Sequence, residues 1–231
     1  MRRPRIAVIL DENTSSGGGR YDMTKAYFSA LDEAGGLPFG IPYVAGIVES
    51  AVSDFEGLLS VGGRFAFPDI WYLDGQASPS PSSERLAVER AVMAGHLDRN
   101  KPVLGICSGM QMLACLNGCR LTPDVSTLSP DARRHDGRDC AHAVAIDPAS
   151  TLGRIVGEAT ITVNSFHREA VATLSPAVRA CARAPDGTIE AVELPSHRFA
   201  VGLQWHQEAF ARTDHPGNRI FHAFVEACAA G

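Results

Sequence analysis

Several features that define whole classes of protein are missing from this sequence of 231 residues. No apolar run approaches the roughly 20 residues that a membrane-spanning helix needs, so no membrane association is expected. The net charge of −5 gives no sign of the excess positive charge that binds nucleic acid or anionic lipid. The basic start, Arg2-Arg3-Pro4-Arg5, is followed by an apolar run too short for a signal peptide. We therefore expect a cytoplasmic protein.

The cysteines show no metal-binding or disulfide pattern. None forms a Cys-x-x-Cys pair, and no nearby histidine completes a zinc motif. In a reducing cytosol we expect free thiols, with no metal and no cofactor. The six cysteines are Cys107, Cys115, Cys119, Cys140, Cys181 and Cys228.

No internal repeat and no domain linker divides the chain, and 45% hydrophobic with 20% charged residues is an ordinary globular balance. We expect one domain over residues 1–231. Helices are predicted from Asp22 to Ala34, at 47–55, from Glu84 to Leu97, after Cys107 and after Pro216. Strands are predicted at 6–10, 37–44, 57–61, 103–106, 143–146, 159–163, 178–182, 188–192 and 199–203. The early alternation of strands and helices predicts an α/β fold with a mostly parallel central sheet, and the later strands predict a small antiparallel extension.

Two polar segments interrupt this pattern. Glu12–Arg20 is glycine-rich and follows the first strand, but no Lys-Ser/Thr follows it and Gly-x-Gly-x-x-Gly spacing is absent. It is therefore interpreted as a flexible loop rather than a phosphate site. Thr122–Arg138 has weak periodicity and is expected to be a partly mobile flap.

The stretch from Pro102 to Gln111 carries the clearest chemical signal. A short apolar strand leads to Cys107, which is flanked by Gly105 and Gly109, and an apolar helical pattern follows. Gly-x-Cys-x-Gly at a strand-to-helix turn is the thiol form of a nucleophile elbow. The helix N-terminus favours the thiolate there. A buried structural cysteine is the alternative.

A thiol nucleophile needs a base, and the base needs an orienting group. His206 follows an apolar strand, so it and Cys107 are both expected at strand ends, where open α/β sheets assemble their sites. Glu208 lies two residues later, so its carboxylate can hold the imidazole. A strand-end histidine without a role and a carboxylate at a helix start remain the alternatives.

Two further segments suggest ligand contacts. Gly62 and Gly63 follow a strand directly and allow backbone N–H groups to approach a ligand, although a plain turn is equally consistent. Asn164, Ser165 and His167 cluster after another strand, which suits recognition of a polar substrate. A hydrogen-bonded loop explains them equally well.

These motifs resemble a known family. The segments 105–111 and 204–208 resemble the class I glutamine amidotransferase fold, which is flavodoxin-like and uses a Cys-His-Glu triad. The segment 163–167 and the closing helix resemble its γ-glutamyl-γ-aminobutyrate hydrolase-like branch. The resemblance covers the chain from Ile6 to about Ala227 and implies a cysteine-dependent hydrolase that cleaves a small γ-glutamyl amine through a thioester.

The resemblance also implies roles for individual residues. Cys107 would attack the amide, His206 would transfer the proton and Glu208 would orient His206. The backbone N–H groups of Gly63 and Ser108 would form the oxyanion hole. The residues implied to bind substrate are Gly62, Gln111, Asn164, Ser165 and His167.

The chain departs from the branch pattern at several positions. Ser108 replaces an arginine, Gln207 replaces a proline, and Arg64 and Arg168 stand at positions where the branch has other residues. Because both arginines add positive charge near the expected pocket, we hypothesise a substrate with an extra carboxylate.

Other functions remain open at this point. The chain could be the glutaminase subunit of an amidotransferase, a catalytically silent binding protein, or a thiol sensor. The expected partner is a small γ-glutamyl molecule, and the oligomeric state stays open, with a homodimer as one option.

Overall fold

A computed structural model describes residues 2–12, 19–129 and 133–231. The helices are α1 Ala26–Glu33, α2 Val48–Ser53, α3 Arg85–Asp98, α4 Ser108–Leu116, α5 Thr151–Val156 and α6 Arg219–Ala229. The first strands are β1 Arg5–Ile9, β2 Leu37–Ile41, β3 Gly57–Ser60, β4 Val103–Ile106, β5 Arg120–Thr122 and β6 Asp136–Ile146. The remaining strands are β7 Thr160–Phe166, β8 Ala170–Thr173, β9 Arg179–Arg183, β10 Ile189–Glu193 and β11 Ala200–Leu203.

Within the described ranges, nine strands form one sheet in the order β2-β1-β3-β4-β11-β10-β9-β6-β7. The strands from β2 to β11 are parallel, and every pair from β11 to β7 is antiparallel. The predicted parallel sheet with an antiparallel extension is confirmed, and the extension continues the same sheet. Strands β5 and β8 form a separate antiparallel pair.

Helices cover both faces of the parallel half. Along β1, Ile6 and Val8 face one apolar cluster, which includes side chains of α1 and α6, while Ala7 and Ile9 face a second cluster with side chains of α3 and α4. This alternation follows from the period of two in an extended strand, and it explains why the buried strands are apolar throughout.

Some local predictions need correction. Helix α1 begins at Ala26 and its N-cap residue is Lys25, not Asp22. Helix α5, which sequence periodicity missed, is capped by the Ser150 hydroxyl, which accepts from the Gly153 N–H at 2.9 Å. No helix in the described ranges is both long and apolar enough to cross a bilayer.

The two polar segments are described only in part. Residues 13–18 of the expected loop and 130–132 of the expected flap lie outside the described residues. The described part of 122–138 is anchored rather than loose, because the Val125 N–H donates to the Arg168 carbonyl at 2.8 Å. His135 is 1% exposed and immediately precedes β6.

Candidate active site

Cys107 sits between β4 and α4 with a backbone conformation that L-residues rarely adopt, φ 53° and ψ −108°. Its N–H donates to the Leu203 carbonyl at 2.7 Å, which ties the turn to β11. A Cβ on Gly105 would lie 2.6 Å from the Gly109 backbone, and one on Gly109 would lie 2.2 Å from the Ser60 carbonyl oxygen. Both glycines are therefore needed for the close approach of strand, turn and helix, as the elbow motif predicts.

The imidazole of His206 lies beside this thiol because β4 and β11 are parallel neighbours, with Ile106 opposite Leu203. A Cβ built on Gly62 would lie 2.7 Å from His206 Cε1 and 3.4 Å from Cys107 Cβ. The side chains of His206 and Cys107 therefore lie close together beside Gly62. His206 Nδ1 lies 2.7 Å from Glu208 Oε1. With Nδ1–H donated to that carboxylate, Nε2 is the ring nitrogen left for the thiol.

The titration of His206 reflects this environment. Burial alone would lower its pKa, but the negative charge of the Cys107 thiolate and hydrogen bonds with Cys107 and Glu208 outweigh burial and raise the pKa to about 11. The arrangement thus favours the imidazolium form of His206, which an ion pair with Cys107 requires.

This ion pair gives a prediction that nuclear magnetic resonance can check. Because the charge of the thiolate contributes most to raising the pKa of His206, Cys107→Ala should lower that pKa. At about pH 8, above the ordinary histidine value near 6.5, the wild-type imidazole should be protonated. The variant's imidazole should titrate at lower pH in ¹⁵N spectra of the ring.

A matched control removes a thiol elsewhere. Cys115→Ala deletes a buried cysteine on α4 that is distinct from this pair, so the His206 titration should not move. An unchanged titration in Cys107→Ala would contradict the ion pair.

Two cavities meet at Cys107. The larger, about 610 Å³, is bordered by Cys107, His206 and Glu208, and its wall carries the carboxylates of Asp11, Glu12 and Asp22. The smaller, about 300 Å³, is bordered by Cys107, Ser108, Gln111, Phe65, Phe67, His167, Arg168 and Glu169. Gly63, Arg64 and Phe166 border both cavities. The thiol therefore has space for a substrate on two sides.

The loop after β3 is held by a buried arginine. Arg85, on α3, is fully buried and donates to the carbonyls of Val61 and Gly62, the latter at 3.0 Å. In a trans peptide the following N–H points away from the carbonyl, so this contact directs the Gly63 N–H to the side opposite Arg85. A Cβ on Gly63 would lie 2.3 Å from Arg85 Nη1, which excludes larger residues there.

Charges of opposite sign surround that arginine. Its Nε lies 2.6 Å from Glu89 Oε2, and Nη1 lies 2.9 Å from Asp11 Oδ1. Glu89 is also fully buried and accepts from the Ser60 hydroxyl. Burial would lower the pKa of Arg85, but Glu89 and Asp11 raise it, so the guanidinium stays charged.

The residues expected to bind substrate have different environments. Gln111 and His167 border the smaller cavity, and Gly62 borders the larger one. Gln111 Nε2 donates to the Glu169 carbonyl at 2.8 Å and to Gln204 Oε1 at 3.0 Å, so its amide N–H groups are already engaged.

Asn164 and Ser165 lie on neither cavity wall. Asn164 Oδ1 accepts from the His206 N–H at 2.9 Å, and its Nδ2 donates to the His206 carbonyl at 2.8 Å. Ser165 is 1% exposed, and its hydroxyl donates to the His135 carbonyl at 3.0 Å. Asn164 therefore positions the backbone of His206, and Ser165 is buried in the antiparallel half, so a substrate contact by either of them stays a prediction.

Tyr27 was not identified as a site residue from the sequence. Its hydroxyl accepts from the Gly62 N–H at 3.2 Å and lies 3.4 Å from His206 Nδ1. Burial and the nearby Glu208 carboxylate raise the pKa of this phenol, so it stays neutral. In the sequence Tyr27 is one apolar position of an amphipathic helix, and no local motif distinguishes it.

Gln207 explains one departure from the branch pattern. Its side chain is fully buried, accepts from Trp205 Nε1 at 2.8 Å and donates to Asn218 Oδ1 at 2.8 Å. These contacts fix the turn between His206 and Glu208 through hydrogen bonds, where the related pattern has a rigid proline.

Comparison with known proteins places these features in context. The model of the family described as Peptidase C26 matches residues 6–208. A γ-glutamyl-γ-aminobutyrate hydrolase of Escherichia coli O157:H7 is 28% identical over 241 aligned residues, covering 99% of this chain and 94% of the relative. Protein NtpR of Enterococcus hirae is 29% identical, covering 87% of each chain.

Solved structures show the same architecture. A protein described as a GMP synthase subunit, from Thermoplasma acidophilum, superposes with a TM-score of 0.70 at 19% identity, covering 100% of this chain and 96% of the other. The glutaminase domain of Trypanosoma brucei CTPS superposes with a TM-score of 0.64 at 17% identity, covering 98% and 94%. These similarities confirm the predicted fold class.

Proposed function

Since the chain belongs to the Peptidase C26 family, we propose that it is a cysteine-dependent amidase that hydrolyses the γ-glutamyl amide bond of a small γ-glutamyl amine. The observation that carries the proposal is the meeting of the Cys107 elbow with the His206–Glu208 pair at the carboxyl ends of two adjacent parallel strands. A relative that aligns over nearly the whole chain is named for hydrolysis of a γ-glutamyl compound.

The first half-reaction forms a thioester. The Cys107 thiolate attacks the amide carbonyl carbon, and the carbonyl oxygen becomes an oxyanion that the N–H groups of Gly63 and Ser108 stabilise. His206 then gives its Nε2 proton to the amide nitrogen, the C–N bond breaks, and the free amine leaves.

The second half-reaction regenerates the enzyme. His206, now neutral, takes a proton from water, and the hydroxide oxygen attacks the thioester carbonyl. The C–S bond breaks and returns the electron pair to Cys107, while glutamate leaves. Glu208 keeps Nδ1 of the imidazole protonated and stabilises the imidazolium in both halves.

Charge on the cavity walls bears on the leaving amine. Arg64 pairs with Asp136 at 2.6 Å, and Arg168 lies 3.6 Å from Asp124, so both arginines have acidic partners. The smaller cavity combines Arg168 and Gln111 near the oxyanion donor Ser108, which suits the glutamyl group. Asp11 is paired with Arg85, so Glu12 and Asp22 carry the negative charge of the larger cavity. This cavity then receives the leaving amine and favours a positively charged one. This reverses the sign expected from the sequence.

A matched panel of γ-glutamyl amides tests both the hydrolysis and the preference for a positively charged leaving amine. The leaving amines are 1,4-diaminobutane, butylamine and γ-aminobutyrate. In the amide, the free end of the amine carries a positive charge, no charge or a negative charge, respectively. The purified chain alone should release glutamate from the panel, and kcat/KM should decrease in that order. Glu12→Gln should reduce the advantage of diaminobutane over butylamine by about threefold to tenfold, as a partly solvated charge pair predicts.

The outcomes separate the reaction from the charge preference. Absence of glutamate release from every amide, in folded protein, would contradict the hydrolase. Release with the opposite order would retain the hydrolase and reject the assignment of the larger cavity. Glutamine turnover only in the presence of a synthetase would favour the glutaminase alternative.

A further inference from the structure

A cluster of three histidines surrounds one fully buried carboxylate in the antiparallel half of the sheet. Glu190, on β10, is 0% exposed. Its Oε1 lies 3.3 Å from His135 Nδ1, 3.4 Å from His142 Nε2 and 3.5 Å from His167 Nε2. His135, His142 and Glu190 each present one ligand atom, and these atoms all lie within 4.8 Å of one another.

The outer nitrogen of each ring faces an oxygen acceptor. His135 Nε2 lies 2.9 Å from Asp186 Oδ2, His142 Nδ1 lies 3.2 Å from the Ala143 carbonyl, and His167 Nδ1 lies 3.0 Å from the Glu169 carbonyl. A carbonyl oxygen cannot donate, so Nδ1 of His142 and of His167 carries the proton. In a neutral ring the inner nitrogen is then a bare lone pair.

These lone pairs meet an acceptor rather than a donor. Both oxygens of Glu190 and Nε2 of His142 and His167 are buried without a hydrogen-bond partner among the described residues. Charge-assisted N–H···O bonds measure about 2.7–2.9 Å, shorter than the 3.3–3.5 Å here. Buried lone pairs that face each other repel unless a cation lies between them.

The distances from Glu190 Oε1 to the three histidine nitrogens match the spacing between ligands in a tetrahedral metal site. Ligands bound to Zn²⁺ at about 2.0–2.1 Å in a tetrahedron lie roughly 3.3–3.4 Å from one another. In zinc sites, the ring nitrogen that does not bind the metal usually donates its proton to a carboxylate or a carbonyl. The outer contacts of the three histidines are of this kind. With neutral rings, the two carboxylates Glu190 and Asp186 also carry the charge that one divalent cation neutralises.

We propose that His135 Nδ1, His142 Nε2 and Glu190 Oε1 bind a structural zinc ion, and that a small shift of His167, whose Nε2 lies 3.5 Å from Glu190 Oε1, supplies the fourth ligand. The site joins the segment before β6, β6 itself, the β7–β8 turn and β10. His167 also borders the smaller cavity, but the site uses none of the residues assigned to the chemical steps of amide hydrolysis and does not rest on the proposed function.

Protons are the competing way to neutralise this cluster. Ser165 Oγ lies 3.0 Å from His135 Nδ1, so a charged His135 could donate to Ser165 while its other nitrogen donates to Asp186. A neutral His142 and a neutral His167 would still face Glu190 with lone pairs on Nε2. Zinc would place a cation between these lone pairs and Glu190 Oε1.

Metal analysis of the full, tag-free chain provides the test. The protein is loaded with Zn²⁺, dialysed extensively against metal-free buffer and analysed by mass spectrometry of the metal. The wild type should retain about one equivalent, as a closed site with protein ligands does. His142→Gln and Glu190→Gln should lose it, whereas His222→Gln, which changes an exposed histidine on α6, should retain it.

Cobalt distinguishes this site from thiol ligation in the wild type, independently of whether the variants fold. Co²⁺ should give visible bands of tetrahedral coordination without sulfur-to-metal charge transfer in the near ultraviolet. Failure of the folded wild type to retain zinc would overturn the proposal. Sulfur charge transfer, or retention equal to wild type in both site variants, would also overturn it.

Discussion

Replacing Cys107 by alanine should reduce amide hydrolysis at least about 10³-fold, because Cys107 is the only thiol among the described residues that line the two cavities. Mass spectrometry of the wild type with a slowly hydrolysed γ-glutamyl amide should trap an acyl adduct on Cys107. The variant should form none. Near-normal activity in a folded Cys107→Ala protein would refute the mechanism.

Glycine at the same position separates chemistry from backbone strain. Cys107 has φ 53°, and such a conformation costs a residue with a Cβ about 1–3 kcal/mol. Alanine keeps that cost, whereas glycine relieves it at an entropic cost of about 0.5–1 kcal/mol. Cys107→Gly should therefore be inactive, yet no less stable than Cys107→Ala in urea unfolding. A clearly less stable glycine variant would contradict the strain.

Removing the charge of Arg85 should have the largest effect on stability. Arg85→Met leaves Glu89 buried without its main partner, and breaking a buried ion pair in this way costs about 3–5 kcal/mol. Urea unfolding monitored by circular dichroism measures the loss. The double variant Arg85→Met with Glu89→Met should recover most of it, because it removes the uncompensated charge.

Arg85→Lys tests the positioning role without removing the charge. Lysine can pair with Glu89 but cannot hold the carbonyls of Val61 and Gly62 in the bidentate geometry of a guanidinium. The Gly63 N–H should then lose its fixed direction, and kcat should fall by about 10- to 100-fold while KM changes little. A change in stability alone, with kcat unaffected, would limit Arg85 to a structural role.

The sequence was informative where function depends on neighbours in the chain. The Cys107 elbow is defined by glycines two residues away on each side, and Glu208 lies two residues from His206. The elbow glycines restrict the turn itself, whereas His206 and Glu208 meet through a 3-10 turn rather than the extended chain that the spacing suggested.

Features that depend on long-range pairing could not be predicted. Arg85 reaches Gly62, and Glu190 reaches His142, only after α3 and β10 have packed. Asn164 was assigned to substrate because a polar cluster after a strand has the same composition whether it binds a ligand or the backbone of His206. Only the packing of β7 beside the end of β11, which brings Asn164 to His206, separates these cases.

The contact between Asn164 and His206 has a consequence for how the two halves of the sheet work together. Strand β7 lies at the edge of the sheet, four places from β11. Its Asn164 side chain nevertheless forms hydrogen bonds with both the N–H and the carbonyl of His206, as a neighbouring strand would. The antiparallel half must therefore bend back far enough to bring β7 beside the end of β11. A displacement of β7 would then move the backbone of His206 through these two hydrogen bonds.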